Sequence, residues 1–468
     1  MEHDELTAEL ALLAELGPRL SGSPEQEKLV EHTAARWAEF GLEVREDVLR
    51  FTRWDLHGRR LTVGGRPVAI SSVFPYSGTT GEAGVGARLH RLRGPLPAWS
   101  KARGGIAVVE ITNRRLPFGA LVGTWDPQQA WGDTTNPMAP ATVAGLGLNR
   151  ARRAGVLGVV FVWRGIGVAN ATGQNLPFTL PYQDIPAVFV VGDAAEEVLA
   201  AAGRGLLAEL VVDATVTPDS TMRTVWAVVE GSTRPEETVL VVSHSDGTNV
   251  VEENGHIGLI DIARDVTARR PERTVVLVLT AGHLRIPDVT KHGQATSRWL
   301  SDHPEWWAGG AGQRKAVAGL AIEHLGALEY RDDPATGSYG PTGRPEPELL
   351  YTSTRELRML ADLEWRGVEP GPTRLSEPNP VMQFGEGQCL YLVGIPNISL
   401  VTLPQYLLSL EQGDYVDVAL AGRQIDSFRR LLRRMDTLPA TSFGVIPRST
   451  PLSKIPTIGK VLAGLVTR

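Results

Sequence analysis

Histidines follow three separate apolar runs of the chain. His244 follows the run at 239–242, His283 follows the run at 275–279, and His324 follows the run at 317–322. Carboxylates accompany two of them, since Asp246 lies two residues after His244 and Glu323 directly precedes His324. Imidazole and carboxylate groups are ligands that zinc accepts, and they also act as acids and bases near neutral pH. The pattern therefore indicates a metal site or an acid/base site.

The common position of these residues behind apolar runs favours a shared site, although any one histidine alone is explained more simply by structural hydrogen bonding. On an extended chain the side chains of His244 and Asp246 face the same way, so the carboxylate is expected to orient the imidazole. A turn residue is the alternative for this aspartate. Of the other histidines, His256 falls within a predicted helix, and His292 and His303 fall in polar loops. We expect no functional role for those three.

Motifs of several other chemistries are absent from the sequence. It has no HExxH zinc motif, no GxSxG nucleophile elbow, no phosphate-binding P-loop and no GxGxxG that opens a helix after a strand. The single cysteine, Cys389, has apolar neighbours at 390–393, which is typical of a buried core thiol rather than a nucleophile. One cysteine also excludes an internal disulfide and fits a reducing compartment.

The apolar runs predict the strands that would carry the polar residues. A helical pattern at 257–264 separates the first two runs, and strands that bracket a helix indicate a βαβ unit in a largely parallel sheet. The runs at 317–322 and 398–403 extend this sheet. Because the carboxyl ends of parallel strands meet at one edge, the residues that follow them should converge on one crevice.

Other segments predict the surroundings of this sheet. Ser23 is a suitable N-cap for an amphipathic helix at 23–41, with Val30, Ala34, Trp37 and Ala38 on one face. An edge strand should follow at 42–48. Residues 54–216 carry short β-like runs between glycines and prolines, with one helical stretch at 142–154, and so predict a separate, mainly β lobe. Loops around one helix at 354–366 are expected within 332–379, and a further helix at 418–435.

Composition and charge exclude several classes of protein. The 468 residues are 42% hydrophobic and 21% charged, which is typical of soluble globular proteins of two or three domains. With 53 acidic and 47 basic residues, the chain has no overall positive field to attract nucleic acid. The acidic start lacks the features of a secretory signal, and no apolar run is long enough to cross a membrane. We expect a cytoplasmic protein with no nucleic-acid or membrane partner, and its oligomeric state is not predicted.

The sequence resembles the zinc-dependent exopeptidase superfamily of leucyl-type aminopeptidases, glutamate carboxypeptidase and glutaminyl cyclase. The similarity lies in the segments 17–23, 105–110, 185–190, 238–264 and 394–396. It implies an α/β fold, with a three-layer αβα domain around a central mixed sheet and a mainly β insert similar to a protease-associated domain. Residues 1–53 would then form the first part of the catalytic domain, 54–216 the insert, and 217–468 the main part of the catalytic domain.

The family's metal ligands are only partly present. Members hold two zinc ions with a His-x-Asp histidine, a bridging aspartate, a glutamate next to the general base, another aspartate and a late histidine. His244 and Asp246 match the first motif, but Glu252-Glu253-Asn254 stands where Asp-Asn is expected, and ungapped counting places Val251 at the bridging aspartate. Gly282-His283-Leu284 replaces the Glu-Glu pair, Glu323 replaces the later aspartate, and no histidine occurs around Tyr406. The resemblance therefore implies a remodelled site with at most one zinc ion.

The predicted site has three groups of residues. A zinc ion would be held by His244, His283, Glu323 and Glu253. Catalytic roles would fall to Glu253, His283, His324 and Asp246. Substrate contacts would come from Asn254, Glu386 and Gln388.

Three functions remain open at this point. The first is an atypical aminopeptidase-like hydrolase that cleaves an amide or peptide-like bond in a peptide-like or small-molecule substrate and uses a mononuclear metal site. The second is a metal-independent acid/base enzyme, such as a cyclase, lyase or isomerase, on the same fold. The third is a non-catalytic binding relative, which a closed crevice and an exposed apolar patch on the insert would indicate.

Overall fold

The computed structural model describes residues 1–94, 97–291, 293–333, 336–368, 373–379 and 383–447. His292 therefore lies outside the described residues. The α-helices are α1 His3–Leu16, α2 Pro24–Glu39, α3 Phe118–Leu121, α4 Met138–Gly145, α5 Leu148–Arg153, α6 Val168–Ala171, α7 Gly192–Gly203, α8 His256–Arg269, α9 Ile286–Val289, α10 Thr296–Asp302, α11 Arg355–Glu364, α12 Gly387–Leu392 and α13 Val418–Thr437. The strands are β1 Val44–Val63, β2 Arg66–Val68, β3 Ser72–Val73, β4 Val85–Leu92, β5 Ile106–Thr112, β6 Gly123–Thr124, β7 Gly158–Arg164, β8 Ala187–Val190, β9 Leu207–Val229, β10 Arg234–His244, β11 Arg273–Thr280, β12 Lys315–Ala321, β13 Leu328–Asp333, β14 Ser338–Pro345, β15 Leu349–Thr352, β16 Leu375–Glu377 and β17 Asn397–Val401.

A mixed sheet forms the centre of the main domain, with strand order β9-β11-β10-β12-β17-β15-β16-β6. Strand β10 runs parallel to both β11 and β12, and β12 runs parallel to β17. Strands β9 and β15 are antiparallel to their neighbours β11 and β17. The predicted βαβ unit is β10-α8-β11, and the four apolar runs are β10, β11, β12 and β17. The α/β class and the central mixed sheet are confirmed.

Helices cover both faces of this sheet. Successive side chains of a strand point to opposite faces, and on β10 they enter two different apolar clusters. Val239 and Val241 pack in the cluster that contains α8 and α13. Leu240 and Val242 pack with Trp299 of α10 and other side chains on the opposite face. The main domain is thus a three-layer αβα structure.

In the region 54–216, which we call the insert lobe, the strands β3, β8, β7, β5 and β4 continue the central sheet on the other side of β9. Strands β4, β5, β7 and β8 are parallel neighbours, and β3 pairs antiparallel with β8. Helix α7 packs on one face. The lobe also contains α3–α6, of which the sequence predicted only the stretch at 142–154, where α4 and α5 lie.

A long antiparallel ribbon of β1 and β9 joins the insert lobe to the main domain. Trp54 faces Val216 in this ribbon, so the predicted boundaries at 53/54 and 216/217 cross it at paired positions. Strand β9 also pairs with β4 of the lobe and with β11 of the central sheet. The division of the chain into a catalytic domain and an insert stays a prediction.

Three local predictions need correction. The strand predicted at 42–48 is the start of the much longer β1, which is held by its pairing with β9 along most of its length. Residues 332–379, predicted as loops, include β14, β15 and β16 besides α11. On α2 the buried residues include Leu29, Val30, Thr33 and Trp37, while Ala38 is exposed. The N-cap is as predicted, since the hydroxyl of Ser23 accepts from the Gln26 N–H.

Cys389 is buried, and this burial raises the pKa of its thiol well above the ordinary value, as suits a core thiol. A bilayer-spanning helix is not found among the described residues.

Candidate metal centre

Three neighbouring strands bring the predicted residues to one place. Strand β10 ends at His244, β11 ends three residues before His283, and β12 ends two residues before Glu323. The rings of His244 and His283 stack, with centroids 3.9 Å apart and planes 8° from parallel. Because these strands are parallel neighbours, their carboxyl ends open on the same edge of the sheet. Residues that are remote in sequence therefore share one buried pocket.

Four donor atoms face one another in this pocket. They are Nε2 of His244, Nε2 of His324, Oε2 of Glu253 and Oε2 of Glu323, and all lie within 4.8 Å of one another. Nε2 of His244 is 3.5 Å from Oε2 of Glu253 and 3.8 Å from Oε2 of Glu323. Within the described part of the chain, Nε2 of His244 and the two Oε2 atoms have no hydrogen-bond partner, whereas Nε2 of His324 lies 2.8 Å from Oε2 of Glu252. Buried polar atoms without partners are costly, so their convergence suits a cation between them.

Both histidines are fixed through their other ring nitrogen. Nδ1 of His244 lies 2.8 Å from the carbonyl oxygen of Asp246. Nδ1 of His324 lies 2.9 Å from the carbonyl oxygen of Thr402. A ring nitrogen that donates to a carbonyl leaves the lone pair of a neutral imidazole on Nε2. In that tautomer, His244 presents an acceptor nitrogen to the pocket. Nδ1 of His324 also accepts from the N–H of Thr402 at 3.1 Å, which suits a proton on its Nε2.

The two carboxylates are held in the same way, through one oxygen each. Oε1 of Glu253 accepts from the N–H of Gly255 and from the hydroxyl of Ser243. Oε1 of Glu323 accepts from the N–H of Glu386 at 2.6 Å. The second oxygen of each carboxylate remains directed at the histidines. This pattern of one anchored and one free atom is what metal ligands require of their surroundings.

Two glycines allow the loop that carries Glu253 to lie against the end of β12. A Cβ on Gly247 would collide with the backbone of Glu252, and a Cβ on Gly255 would collide with the carbonyl oxygen of Ile322. Larger residues at either position would push this loop away from the pocket.

Glu252 and His283 form a second group with His244, again with donor atoms within 4.8 Å of one another. Oε2 of Glu252 lies 2.8 Å from Nε2 of His324. His283 donates from Nδ1 to Oε1 of Glu386 at 2.6 Å. The structure thus places His283 beside the four-donor cluster rather than in it, and it places His324 in the cluster.

Glu386, predicted to contact substrate, instead holds His283 in position. Its carboxylate also accepts from the backbone N–H groups of Ala295 and Thr296. Burial opposes ionisation of this carboxyl, but His283 and the Thr296 N–H are among the groups that lower the pKa of Glu386 to about 2. Glu386 is therefore a charged partner for the imidazole near neutral pH.

Asp246 has a different role from the expected one. The contact that orients His244 comes from its carbonyl oxygen, whereas its carboxylate accepts from the backbone N–H groups of Gly282, His283 and Leu284. The hydroxyl of Ser21 adds a fourth hydrogen bond at 2.5 Å. This carboxylate therefore positions the loop that carries His283.

The other two predicted substrate residues differ in their surroundings. Asn254 donates to the carbonyls of Val250 and Leu325 and accepts from the Leu325 N–H, so its amide joins two loops of the fold. Gln388 lies half-buried on α12.

The charges in the pocket are strongly coupled. Burial raises the pKa of Glu253 to about 7, although His244 and His324 oppose this. Burial disfavours protonation of the histidines, but Glu323, Glu253 and Glu252 together raise the pKa of His244 well above its ordinary value. Glu252 and the other two carboxylates likewise raise the pKa of His324 to about 9. Protons on the histidines thus balance the carboxylates, and a divalent cation would replace them.

Three residues around the site were not singled out from the sequence. Glu252 was not distinguished from its neighbour Glu253, because sequence gives no direction for adjacent carboxylates in a loop. Arg19 is buried and donates to the carbonyl oxygens of Asn249 and Glu253, and it lies in the segment 17–23 that carried the resemblance. Phe178 of the insert lobe stacks on His283 with ring centroids 5.5 Å apart, and no sequence signal marks it. The pocket is therefore covered from the lobe side.

No protein-family model matches the chain, and no curated protein matches it. Among solved structures, a zinc aminopeptidase from Bacillus subtilis aligns with a TM-score of 0.63 at 12% identity, over 96% of this chain and 99% of that one. An aminopeptidase from Aneurinibacillus sp. strain AM-1 aligns with a TM-score of 0.62 at 13% identity, over 96% of each chain.

A third structure extends this likeness. A peptidase M28 precursor from Shewanella amazonensis SB2B aligns with a TM-score of 0.62 at 16% identity, over 93% of each chain. Identities this low establish the fold and leave the activity open. The expected resemblance is confirmed at that level: this chain shares the overall fold of zinc aminopeptidases along nearly its whole length.

Proposed function

We propose that the protein is a hydrolase of peptide-like bonds with a single metal ion, held by His244, Glu253 and Glu323. The observation that supports this proposal is the set of buried donor atoms that have no hydrogen-bond partner among the described residues, on side chains anchored at their other polar atom. One imidazole nitrogen and two carboxylate oxygens suit zinc, and three protein ligands leave a fourth position open. A zinc ion in such a site supplies Lewis acidity, which polarises a substrate carbonyl and acidifies water.

His324 and Glu252 are well placed to handle a proton beside this ligand set. Their facing atoms, Nε2 and Oε2, lie 2.8 Å apart. Burial opposes ionisation of Glu252, but the neighbouring His324 lowers the pKa of this carboxyl. The pair is therefore charged near neutral pH, with the proton on the imidazole. In peptide hydrolysis His324 would give this proton to the leaving amine.

His283 is the second acid/base group of the proposed site. Its Nδ1 donates to Glu386, so its Nε2 is free to accept a proton, and Glu386 would stabilise the imidazolium that forms. Asp246 acts as a positioning residue, because it holds the backbone of residues 282–284.

A non-catalytic binding relative is the second candidate, and the closure of the pocket favours it. His244 and Glu323 have no exposed surface, and Phe178 lies over His283. The insert lobe also carries exposed apolar side chains, among them Val143 at 64% and Leu146 at 60%. A site that stays closed would bind a metal without turning over a substrate.

The test combines metal analysis with turnover of a panel of aminoacyl p-nitroanilides. We expect near-stoichiometric zinc, activity that is lost with EDTA and restored by zinc, and loss of both metal and activity in His244→Ala. His324→Ala should keep the metal and lose turnover. His256→Ala is the matched control, because His256 is equally buried but pairs with Glu9 outside the pocket.

Other outcomes overturn the proposal in distinct ways. Activity that resists EDTA and is lost in His283→Ala would establish metal-independent acid/base catalysis. Stoichiometric zinc without turnover of any compound of the panel would favour the binding relative. Circular dichroism of each variant separates loss of the site from loss of the fold.

A further inference from the structure

The insert lobe contains a cleft of about 780 Å³ that is remote in sequence from the metal centre. We call it the insert cleft. It lies at the carboxyl ends of the parallel strands β4, β5 and β7, and helices α4 and α5 form its other side. In open α/β sheets this end of parallel strands is where ligands bind. The volume also falls within the range of known small-ligand pockets.

The floor of the insert cleft is apolar. Leu92 at the end of β4, Val109 on β5, Phe161 on β7 and Trp99 are buried residues that line it. Val143 on α4 lines the same cleft and is 64% exposed. An exposed valine beside aromatic and aliphatic walls offers a contact for an apolar group of a ligand.

The rim of the insert cleft is strongly basic. Its charged lining residues are Arg91, Arg93, Arg114, Arg115 and Arg150, with Glu110 as the one carboxylate in the lining. Glu110 is already paired, since it lies 2.5 Å from Arg91 and 3.4 Å from Arg164. The side chains of Arg93 and Arg150 have no ion pair or hydrogen bond within the residues that the structure describes, and both residues are exposed. The rim therefore carries positive charge that the protein itself does not balance.

We propose that the insert cleft binds an acidic peptide segment, with an apolar side chain on the floor and carboxylates at the arginine rim. Guanidinium groups bind carboxylates through two parallel hydrogen bonds, and no lysine lines the cleft. An apolar floor beneath a charged rim matches a peptide that alternates the two kinds of side chain better than a bare inorganic anion. The proposal is independent of the function proposed for the metal centre.

The test uses fluorescence anisotropy with a short fluorescein-labelled peptide in which glutamate and leucine alternate. We expect saturable binding that persists in EDTA, and much weaker binding of the same peptide with glutamine in place of glutamate. The double variant Arg93→Glu, Arg150→Glu should weaken binding about tenfold or more, because it removes two attractions and adds two repulsions. Val143→Asp should weaken binding as well.

The double variant Arg59→Glu, Arg66→Glu is the matched control. It makes the same change of net charge on exposed residues of the insert lobe, outside the cleft. Equal weakening in both double variants would overturn the proposal, because it would show attraction by overall charge. Equal affinity for the glutamine peptide, or no binding by the wild-type protein, would overturn it too. Binding that is lost in EDTA would assign the peptide to the metal centre instead.

Discussion

Zinc should stabilise the folded chain, and this stabilisation should depend on His244. The reason is that the donor atoms of the pocket are brought together only by folding, so a metal that binds there binds the folded state alone. His244 lies on β10, Glu253 precedes α8 and Glu323 follows β12. Addition of zinc to chelator-treated protein is therefore expected to raise the melting temperature.

The geometry shows how far the donors are from a bound arrangement. Nε2 of His244 is 3.5 and 3.8 Å from the two facing carboxylate oxygens. Tetrahedral zinc with bonds of about 2.05 Å places its donors about 3.4 Å apart. These two distances thus need to shorten by only a few tenths of an ångström, and the two carboxylate oxygens lie within 4.8 Å of each other.

The size of the effect follows from linkage. Free zinc at one hundred times its dissociation constant contributes about 2.7 kcal/mol to stability. Unfolding entropy is about 2 cal/mol/K per residue, which gives about 1 kcal/mol/K for the 468 residues. The melting temperature should therefore rise by about 3 °C at that zinc concentration, and further with each tenfold increase.

Differential scanning calorimetry of the wild type, His244→Ala and His256→Ala measures this effect directly. Neither histidine has exposed surface, so each substitution removes one fully buried imidazole ring. Only His244 faces the other donor atoms of the metal pocket. We expect a zinc-dependent shift in the wild type and in His256→Ala, and none in His244→Ala. An equal shift in His244→Ala, or no shift in the wild type, would refute the assignment of the metal to this pocket.

Two further predictions concern stability away from the pocket. Burial raises the pKa of Glu346 to about 8 from its ordinary value near 4.5, so the folded chain keeps this proton while the unfolded chain releases it, and stability is lost as the pH rises through this range. Glu346→Gln removes that loss. The free energy of unfolding of the variant minus that of the wild type, measured with urea, should therefore be about 3 kcal/mol larger at about pH 8 than at about pH 5. An equal difference at both pH values would contradict this prediction. Arg273 has no exposed surface, and it pairs with Glu237 at 2.6 Å and donates to two carbonyls at the end of α13. Arg273→Met should therefore cost about 3 kcal/mol in the same assay, whereas Arg60→Met, which breaks an exposed pair, should cost less than about 1 kcal/mol.

The position of the site was predictable from the sequence because it depends on strand order. Continuous apolar runs identify buried parallel strands, and adjacent parallel strands open on the same edge. That reasoning brought His244, His283 and Glu323 together without any knowledge of the loops. The αβα layers follow from the same runs, because strands buried on both faces need helices on both sides.

The roles of individual residues were less predictable, because they depend on loops that are distant in sequence. Whether Glu386 meets a substrate or His283 depends on how the turn before α12 packs against residues 282–296. Asp246 was expected to hold its neighbour His244, but the backbone N–H groups after β11 compete for its carboxylate and bind it. The spacing of Asp246 and His244 along the chain cannot show that backbone N–H groups of another segment bind this carboxylate.

The length of β1 was unpredictable for a similar reason. After residue 48 the strand has no strict alternation of apolar and polar residues, so periodicity gives no signal. What extends it is the partner strand β9, more than 150 residues later along the chain for most of the paired positions. The local sequence pattern does not identify a strand partner at that separation.

The β1–β9 ribbon also determines how the covering lobe can move. A lobe tethered by flexible loops swings freely, but here two hydrogen-bonded strands pass without a break from one body into the other. A rigid-body displacement of the lobe that uncovers His283 would bend this ladder, which is irregular at two register shifts, at Phe51/Arg53 and at Leu56/Gly58. It would also pull β6 of the lobe away from β16 of the central sheet. Opening of the pocket would therefore require the β1–β9 ribbon to bend, most easily at its two irregular positions. The stiffness of this ribbon would then limit how often the pocket is exposed to solvent.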